Sequence, residues 1–151
     1  MLNWTEVLKR ADHGNAPPPR RVEKTPDEWR AVLSEEVFFV TREAGTERPF
    51  SSDMCGLFAE GKYNCACCDT LLFDATQKFD SGTGWPSFTE PADHRVVAYT
   101  ADHSLRMTRI EATCAVCDAH LGHVFQDGPP PSGLRYCMNA LAMRKASDAS
   151  S

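Results

Sequence analysis

Seven cysteines are the residues of this 151-residue chain best suited to chemistry, and four of them form two C-x-x-C pairs. Thiolates are soft, negatively charged ligands, and Zn²⁺ prefers four ligands in a tetrahedron. Two intervening residues let each pair hold one ion from a tight turn, so the two pairs predict a structural zinc site. The predicted ligands are Cys65, Cys68, Cys114 and Cys117. The sequence CACC leaves open ligation by Cys67 in place of Cys68, and reactive dithiols or reduced core cysteines are the competing interpretation.

Three cysteines remain outside the predicted metal site: Cys55, Cys67 and Cys137. A free cysteine becomes a useful nucleophile where nearby cations or hydrogen-bond donors favour its thiolate. Arg135 lies two residues before Cys137, so in a strand the two side chains would share one face. Cys137 is therefore a candidate nucleophile with a cationic neighbour.

Two histidines, His120 and His123, stand in the segment DAHLGHVFQDGP and are candidate donors at a site. In a regular strand they would point to opposite faces. Gly122 permits a turn or bulge that could bring both to one pocket. Extra metal ligands or surface imidazoles are the alternatives, although four thiolates already complete a zinc shell.

The overall composition is that of a globular domain, with 42% hydrophobic and 25% charged residues,. A net charge of −5 argues against nucleic acid or an anionic membrane as the main partner,. No secretory signal and no run of about 20 apolar residues is present, so we expect no membrane segment. The expected location is the cytoplasm, a reducing compartment in which cysteines are more often ligands or catalysts than disulfides.

Helices are predicted at the N-terminus. Trp4, Val7 and Leu8 give a short helical face, which is followed by the extended spacer APPPRR,. A second helix is predicted in TPDEWRAVLSEE, because its start has the T-x-x-E pattern of a capping box with proline at the first helical position. The residues of that start are Thr25, Pro26 and Glu28, and the predicted buried stripe is Trp29, Val32 and Leu33.

From Val37 onward, short apolar runs alternate with clusters of Gly, Pro, Asp and Ser. This spacing predicts short strands in antiparallel sheets. The runs are VFFVTR, YNCACC, TLLF, HRVVAYT, LRMTRIEATC and GHVF. We predict an N-terminal helix and Pro-rich spacer over 1–24, an α+β domain dominated by β-structure over 25–144, and a disordered tail over 145–151.

Five motifs resemble the B-type methionine sulfoxide reductases, the peptide-methionine (R)-S-oxide reductases. They are GTERPFS (45–51), CACCDTLLF (65–73), FDSGTGWPSF (79–88), CAVCDAHLGHVFQDGP (114–129) and GLRYCMNA (133–140). The motifs follow the order and spacing of that family over most of the chain, from about Thr25 to Met143. The resemblance implies two antiparallel β-sheets in a sandwich, short N-terminal helices and a structural zinc site.

The resemblance also implies a catalytic role for the lone cysteine and the histidines. Cys137 matches the family's nucleophile, whose thiolate attacks the sulfoxide sulfur and is left as a sulfenic acid. His123 matches the main acid, because an imidazole of near-neutral pKa suits proton delivery to the departing oxygen. His120 would help to hold the sulfoxide oxygen.

Further residues of the family's site are implied by the same motifs. Asn139 would orient the histidine network, and Arg135 would favour the thiolate. Trp85, with Phe125 beside it, would form the apolar wall for the substrate methyl group, although by itself Trp85 could be a core aromatic.

The chain departs from the common family pattern at Thr83, where many members carry a resolving cysteine. Cys55, in the segment SSDMCGLFAEGKY, is the predicted alternative. Cys67 is the weaker candidate because it lies within a C-x-x-C pair, and an external thiol is the third possibility.

The implied partners are an oxidised protein or peptide substrate and thioredoxin or another dithiol reductant, with zinc as the only cofactor and a monomer as the expected form. A zinc-stabilised, non-catalytic binding module would explain the C-x-x-C pairs but not the other motifs. An acyl-transfer enzyme using Cys137, His123 and Asn139 would form an acyl-enzyme instead of a sulfenic acid. A zinc deaminase is disfavoured because its H-x-E signature is absent,.

Overall fold

The computed structural model describes residues 2–46, 61–79, 81–102 and 109–146, and within them three short helices precede a set of strands. The helices are α1 (Trp4–His13), α2 (Pro26–Val32) and α3 (Glu35–Arg42). The strands are β1 (Lys62–Cys65), β2 (Leu71–Asp74), β3 (Lys78–Phe79), β4 (Ser87–Phe88), β5 (Val97–Asp102), β6 (Arg109–Cys114), β7 (His120–Phe125), β8 (Arg135–Met138) and β9 (Met143–Ala146). Among the helices so described, none combines the length and apolar character needed to cross a bilayer.

The strands form two antiparallel sheets, as predicted. One has the order β2-β1-β9 and the other the order β3-β4-β8-β7-β6-β5. Aromatic side chains fill the space between them: Phe73 of β2 stacks on Phe88 of β4 at 4.4 Å and meets Tyr136 of β8 edge-on at 5.6 Å. Burial of these rings supplies much of the apolar area that holds the two sheets together.

Helix α2 starts as the sequence predicts. The Thr25 hydroxyl accepts a hydrogen bond from the Glu28 amide, and the Glu28 carboxylate accepts one from the Thr25 amide. The predicted apolar stripe is only partly correct, because Trp29 is buried whereas Val32 is 64% exposed. The helix has only seven residues and ends at Val32, so one large side chain anchors it.

The run Val37–Arg42, predicted as a strand, is helical. Ser34 caps α3 by accepting a hydrogen bond from the Val37 amide at 3.3 Å, and the helix buries Phe38 and Val40. The sequence interpretation was wrong here because valine and phenylalanine favour strands only where a pleated surface is available to pack against. The local cap and the packing of this segment favour a helix instead.

The N-terminal segment packs on the larger sheet instead of standing apart from it. Val7 of α1 is fully buried, and the helix lies along the edge strand β5, while Leu8 is 43% exposed and does not contribute as predicted. The Asn15 side chain donates to the Tyr99 carbonyl and accepts from the Tyr99 amide. At the other end, β9 continues through Ala146, so the predicted tail boundary at Lys145 falls within a strand.

Candidate functional site

One row of cross-strand neighbours carries the central residues of the site. In the larger sheet, Cys137 of β8 lies opposite His123 of β7 on one side and opposite Ser87 of β4 on the other. His123 in turn lies opposite Glu111 of β6. Along β8 burial alternates, with Tyr136 and the residue after Cys137 inside the core. The row therefore projects from the face of the sheet that points away from the core.

A β-bulge aligns the two histidines. The register between β6 and β7 shifts so that Leu121 is the extra residue, because Thr113 pairs with His120 and Ala112 pairs with Gly122. One inserted residue reverses the alternation, so His120 and His123 share a face and their rings meet edge-on at 5.7 Å,. The bulge that the glycine allowed in the sequence is present.

Gly122 also sets how closely β7 and β8 approach each other. A Cβ atom built at this position would overlap the backbone carbonyl oxygen of Cys137. Only a residue without a side chain lets the two strands pair at this point, so Gly122 fixes the position of the cysteine relative to His123.

A cleft of about 120 Å³ opens at this face. It is lined by Thr46, Trp85, Arg109, Gly122, His123, Phe125, Cys137, Met138 and Asn139. Five residues singled out from the sequence therefore line one cavity: the cysteine, one histidine, the asparagine and the two aromatic residues. Arg135 and His120 lie outside that lining.

Three further residues at or beside the cleft, Thr46, Arg109 and Glu111, were not predicted from the sequence. Arg109 and Glu111 occupy alternate positions of β6, whose burial pattern is strictly periodic, and both project to the same face as the site. Charged residues at alternate positions of a strand that leads into a C-x-x-C pair were the signal that could have identified them.

Arg135 lies beside the cysteine on the same face of β8, as its spacing predicts. Its guanidinium stands 4.4 Å from the Phe125 ring and makes two hydrogen bonds to Asp127, at 2.8 and 3.2 Å. The hydrogen bond to Asp127 is the main cause that raises the pKa of Arg135, and Cys137 adds a smaller contribution in the same direction. Asp127 thus fixes a permanent cation next to the thiol.

Asn139 ties the bulge to the strand that carries the cysteine. The residue is 4% exposed, and its side-chain amide and its backbone N–H both donate to the carbonyl of Leu121, at 3.2 and 2.8 Å. Leu121 is the bulged residue, and Asn139 lies opposite it in a continuation of the register between β7 and β8, so these bonds fasten the bulge to the segment that follows the cysteine,.

The Thr83 hydroxyl is the first of three hydrogen-bonded hydroxyl groups that lead towards Cys137. Thr83 Oγ1 lies 2.8 Å from Ser81 Oγ, which lies 2.7 Å from Ser87 Oγ, and Ser87 is the cross-strand partner of Cys137. Thr83 therefore contributes a hydrogen-bonded hydroxyl group near Cys137. Cys55, the predicted alternative resolving residue, lies outside the described residues, and Cys67 is half-buried in its turn.

Four cysteine sulfur atoms form a compact cluster away from the cleft, all within 4.8 Å of one another. The Cys65–Cys117 and Cys68–Cys114 sulfur atoms are each 3.6 Å apart. The cluster selects Cys68 instead of Cys67, which resolves the alternative left open by CACC. Four sulfur donors converging from two turns form a site suited to a tetrahedral, thiophilic metal ion.

The two turns that hold the cluster have the same local design. In each, the aspartate after the second cysteine has positive φ, at 65° for Asp69 and 68° for Asp118. Its backbone N–H donates to the carbonyl of the first cysteine of the pair, at 2.9 and 2.8 Å respectively. Aspartate tolerates the left-handed conformation, so each C-x-x-C-D segment closes a turn that points both sulfur atoms inward.

Comparison with known proteins gives one consistent match. The SelR domain model matches residues 33–147. The chain is 52% identical over 124 residues to the peptide methionine sulfoxide reductase MsrB of Pseudomonas putida (strain W619), covering 82% of this chain and 93% of that protein. It is 53% identical over 123 residues to the MsrB of Pseudomonas fluorescens and 51% identical over 124 residues to that of Azotobacter vinelandii, with 82% of this chain and 95% and 93% of those proteins covered.

Proposed function

This chain belongs to the SelR domain family, and we propose that it is a peptide-methionine (R)-S-oxide reductase that uses Cys137 as its nucleophile. The observation that carries the proposal is the row in which Cys137 lies directly beside His123 at the floor of a cleft that Trp85 also lines. Relatives named peptide methionine sulfoxide reductase, half identical over nearly their full length, support the same reaction.

The first step of the proposed reaction transfers one oxygen atom. The Cys137 thiolate attacks the sulfoxide sulfur, and His123 delivers a proton to the sulfoxide oxygen. The S–S bond formed by this attack and the S–O bond of the substrate then both break, the oxygen moves to Cys137 as the hydroxyl group of a sulfenic acid, and methionine leaves. The thiol is oxidised and the sulfoxide is reduced, so no further oxidant or reductant is needed in this step.

The neighbours of Cys137 supply charge and shape. Arg135, held by Asp127, favours the thiolate over the neutral thiol because opposite charges attract across this short distance,. Trp85 and Phe125 give the cleft an apolar wall for the S-methyl group, and the cleft volume of about 120 Å³ suits a single side chain. Asn139 maintains the bulge on which the histidines depend.

The second step returns Cys137 to the thiol. A second thiol condenses with the sulfenic acid, releasing water and forming a disulfide, and a dithiol protein such as thioredoxin then reduces that disulfide. Cys55 is the proposed resolving residue, with Cys67 and an external thiol as alternatives. The proposed setting is the cytoplasm, whose thiol reductants maintain such cysteines in the reduced state, and the proposed form is a monomer.

Zinc is the proposed occupant of the four-cysteine site. Four thiolates in two closed turns leave no open coordination position, which is the arrangement of a structural zinc site and not of a catalytic one,. When bound, zinc would crosslink the β1–β2 turn of the smaller sheet to the β6–β7 turn of the larger sheet. Cys65, Cys68, Cys114 and Cys117 would hold it.

The deciding experiment is reduction of racemic N-blocked methionine sulfoxide with dithiothreitol, with the two epimers separated by chiral chromatography. We expect loss of the R epimer only, and no turnover by the Cys137→Ser variant. His94→Gln, which changes an exposed histidine outside both the cleft and the four-sulfur cluster, is the control.

Two results would contradict the proposal. Consumption of the S epimer would assign the opposite stereochemistry to the cleft. If the folded, metal-loaded protein reduces neither epimer, the chain has the motifs but not the activity, and a non-catalytic binding module is favoured.

A further inference from the structure

Glu111 contacts the histidine pair from the side opposite to the nucleophile. Its Oε2 lies 2.7 Å from Nδ1 of His120, and Glu111 is also the cross-strand partner of His123. His120 is only 5% exposed, and the side chain of Glu111 is 26% exposed. Neither the sequence motifs nor the comparisons assign a role to this carboxylate.

The geometry of this contact fixes one tautomer of His120. An ionised carboxylate only accepts hydrogen bonds, so Nδ1 of His120 must carry the proton that it donates. Nε2 is then the nitrogen through which His120 can act as an acceptor. The His120 ring meets the His123 ring edge-on at 5.7 Å, so its orientation constrains the orientation of the second imidazole.

We propose that Glu111 is a positioning residue for the reductase reaction. It fixes the tautomer and the ring orientation of His120, and the His120 ring in turn fixes the orientation of His123. This inference rests on the proposed function. Glu111, His123 and Cys137 are successive cross-strand neighbours on β6, β7 and β8, so the carboxylate that holds His120 also lies beside the second histidine.

The test compares Glu111→Gln, which keeps the shape but loses the charge, with Glu36→Gln on the exposed face of α3. We expect kcat to fall by about tenfold to a hundredfold with little change in KM, because orientation matters mainly in the transition state. In ¹⁵N-resolved spectra of the resting enzyme, His120 should carry its proton on Nδ1 in the wild type and lose that preference in Glu111→Gln. Glu36→Gln should match the wild type in both measurements.

An unchanged kcat in Glu111→Gln would overturn the inference. A fall in kcat without any change in the His120 tautomer would also overturn it, because the carboxylate would then act on general stability alone. The spectra do not depend on turnover, so an inactive wild type would refute the proposed function while still reporting on the contact between Glu111 and His120.

A second inference comes from the segment that joins α1 to α2, residues 14–25, which we call the strap. The strap precedes the residues matched by the family model. Its consecutive residues contact opposite sides of the four-sulfur cluster. Arg20 donates to the Cys68 carbonyl at 3.0 Å, whereas Arg21 donates to the Ala115 carbonyl at 2.7 Å and the amide of Val22 donates to the Val116 carbonyl at 2.9 Å.

The strap also contacts groups that touch the sulfur atoms or shape their turns. Arg20 donates to Thr70 Oγ1 at 2.8 Å, and that hydroxyl lies 3.1 Å from the Cys68 sulfur, so Arg20 is linked through one hydroxyl group to a sulfur atom of the cluster,. Arg21 makes two hydrogen bonds to the Asp118 carboxylate, at 2.7 and 2.9 Å. Asp118 is the residue of positive φ that closes the second turn.

We infer that the strap slows metal loss by holding the two C-x-x-C turns together independently of the ion. Release requires the turns to separate, and the strap spans the gap between them. The test follows metal release from the full, metal-loaded chain to the chromogenic chelator 4-(2-pyridylazo)resorcinol. The variant carries Arg20→Ala and Arg21→Ala, and the control is Lys9→Ala, an exposed cation of α1.

We expect the double variant to release metal about tenfold faster than the wild type, and the control to release it at the wild-type rate. A rate within twofold of the wild type would overturn the inference. Faster release that is accompanied by an equal loss of global stability in urea unfolding would also overturn it, because the strap would then stabilise the whole domain and not the metal site.

Discussion

Cys137 and His123 are direct partners in the ladder between β7 and β8. Directly opposed residues place their Cβ atoms about 4.5–5.5 Å apart on the same face, so the proposed nucleophile and acid are adjacent without any loop having to close. The positions of these two residues are fixed by backbone pairing within the larger sheet.

We expect His123→Gln to reduce kcat by about 10² to 10⁴-fold, because a positioned acid contributes that much to proton transfer. Steady-state reduction of an R-sulfoxide peptide measures this effect. His94→Gln, which changes an exposed histidine that does not line the cleft, is the matched control. Near wild-type kcat in His123→Gln would assign proton delivery to another group.

Gly122→Ala should damage both stability and activity. The added Cβ overlaps the Cys137 carbonyl, and forcing the strands apart should cost roughly 1–3 kcal/mol of unfolding free energy,. Urea unfolding and kcat should both report it. Gly133→Ala is the comparison, because Gly133 has positive φ but open space around it, so that change adds backbone strain alone. Equal stability loss in both variants, with full activity in Gly122→Ala, would contradict the proposed close approach.

Removal of the metal should unfold the domain. The four sulfur atoms join turns from two different sheets, and loss of the ion removes this crosslink between them,. Chelation followed by circular dichroism and thermal melting measures the loss. A metal-free protein that keeps its melting temperature and activity would show that the cluster is not structural.

Cys55→Ser should spare a single turnover and block recycling by thioredoxin, because the sulfenic acid on Cys137 would lack its internal partner. Stopped-flow measurement of one methionine released per enzyme, followed by thioredoxin-coupled steady-state turnover, separates the two steps. Cys67→Ser is the parallel variant. If thioredoxin-dependent turnover is unchanged in Cys55→Ser but lost in Cys67→Ser, Cys67 is the resolving residue. If turnover is unchanged in both variants, the resolving thiol is external.

Local interactions explain what the sequence predicted correctly. The capping box of α2 involves Thr25 and Glu28, which are three residues apart, and both of its hydrogen bonds are present. The four-cysteine cluster follows from the spacing within each C-x-x-C pair. Such features need only neighbouring residues and known ligand chemistry, so they can be identified without tertiary information.

Features that depend on pairing between distant segments were not predictable. The run at Val37–Arg42 has strand-forming residues, but its packing makes it α3. Alternation along β6 places Arg109 and Glu111 on one face, but the contact of Glu111 with His120 depends on the bulged register between β6 and β7. Arg20 and Arg21 appeared to belong to a spacer, because their partners Thr70 and Asp118 lie 50 and 97 residues further along the chain.

The contact between Asn15 and Tyr99 has a consequence for association between copies of the chain. Among the strands that the structure describes, β5 is the outermost of the larger sheet, and an outermost strand offers unpaired amides and carbonyls to which a strand of another molecule could add,. The Asn15 amide occupies both the donor and the acceptor of Tyr99, and α1 lies along the same strand. The N-terminal segment therefore covers an edge at which strands of two molecules could pair. Its removal should promote aggregation at high protein concentration.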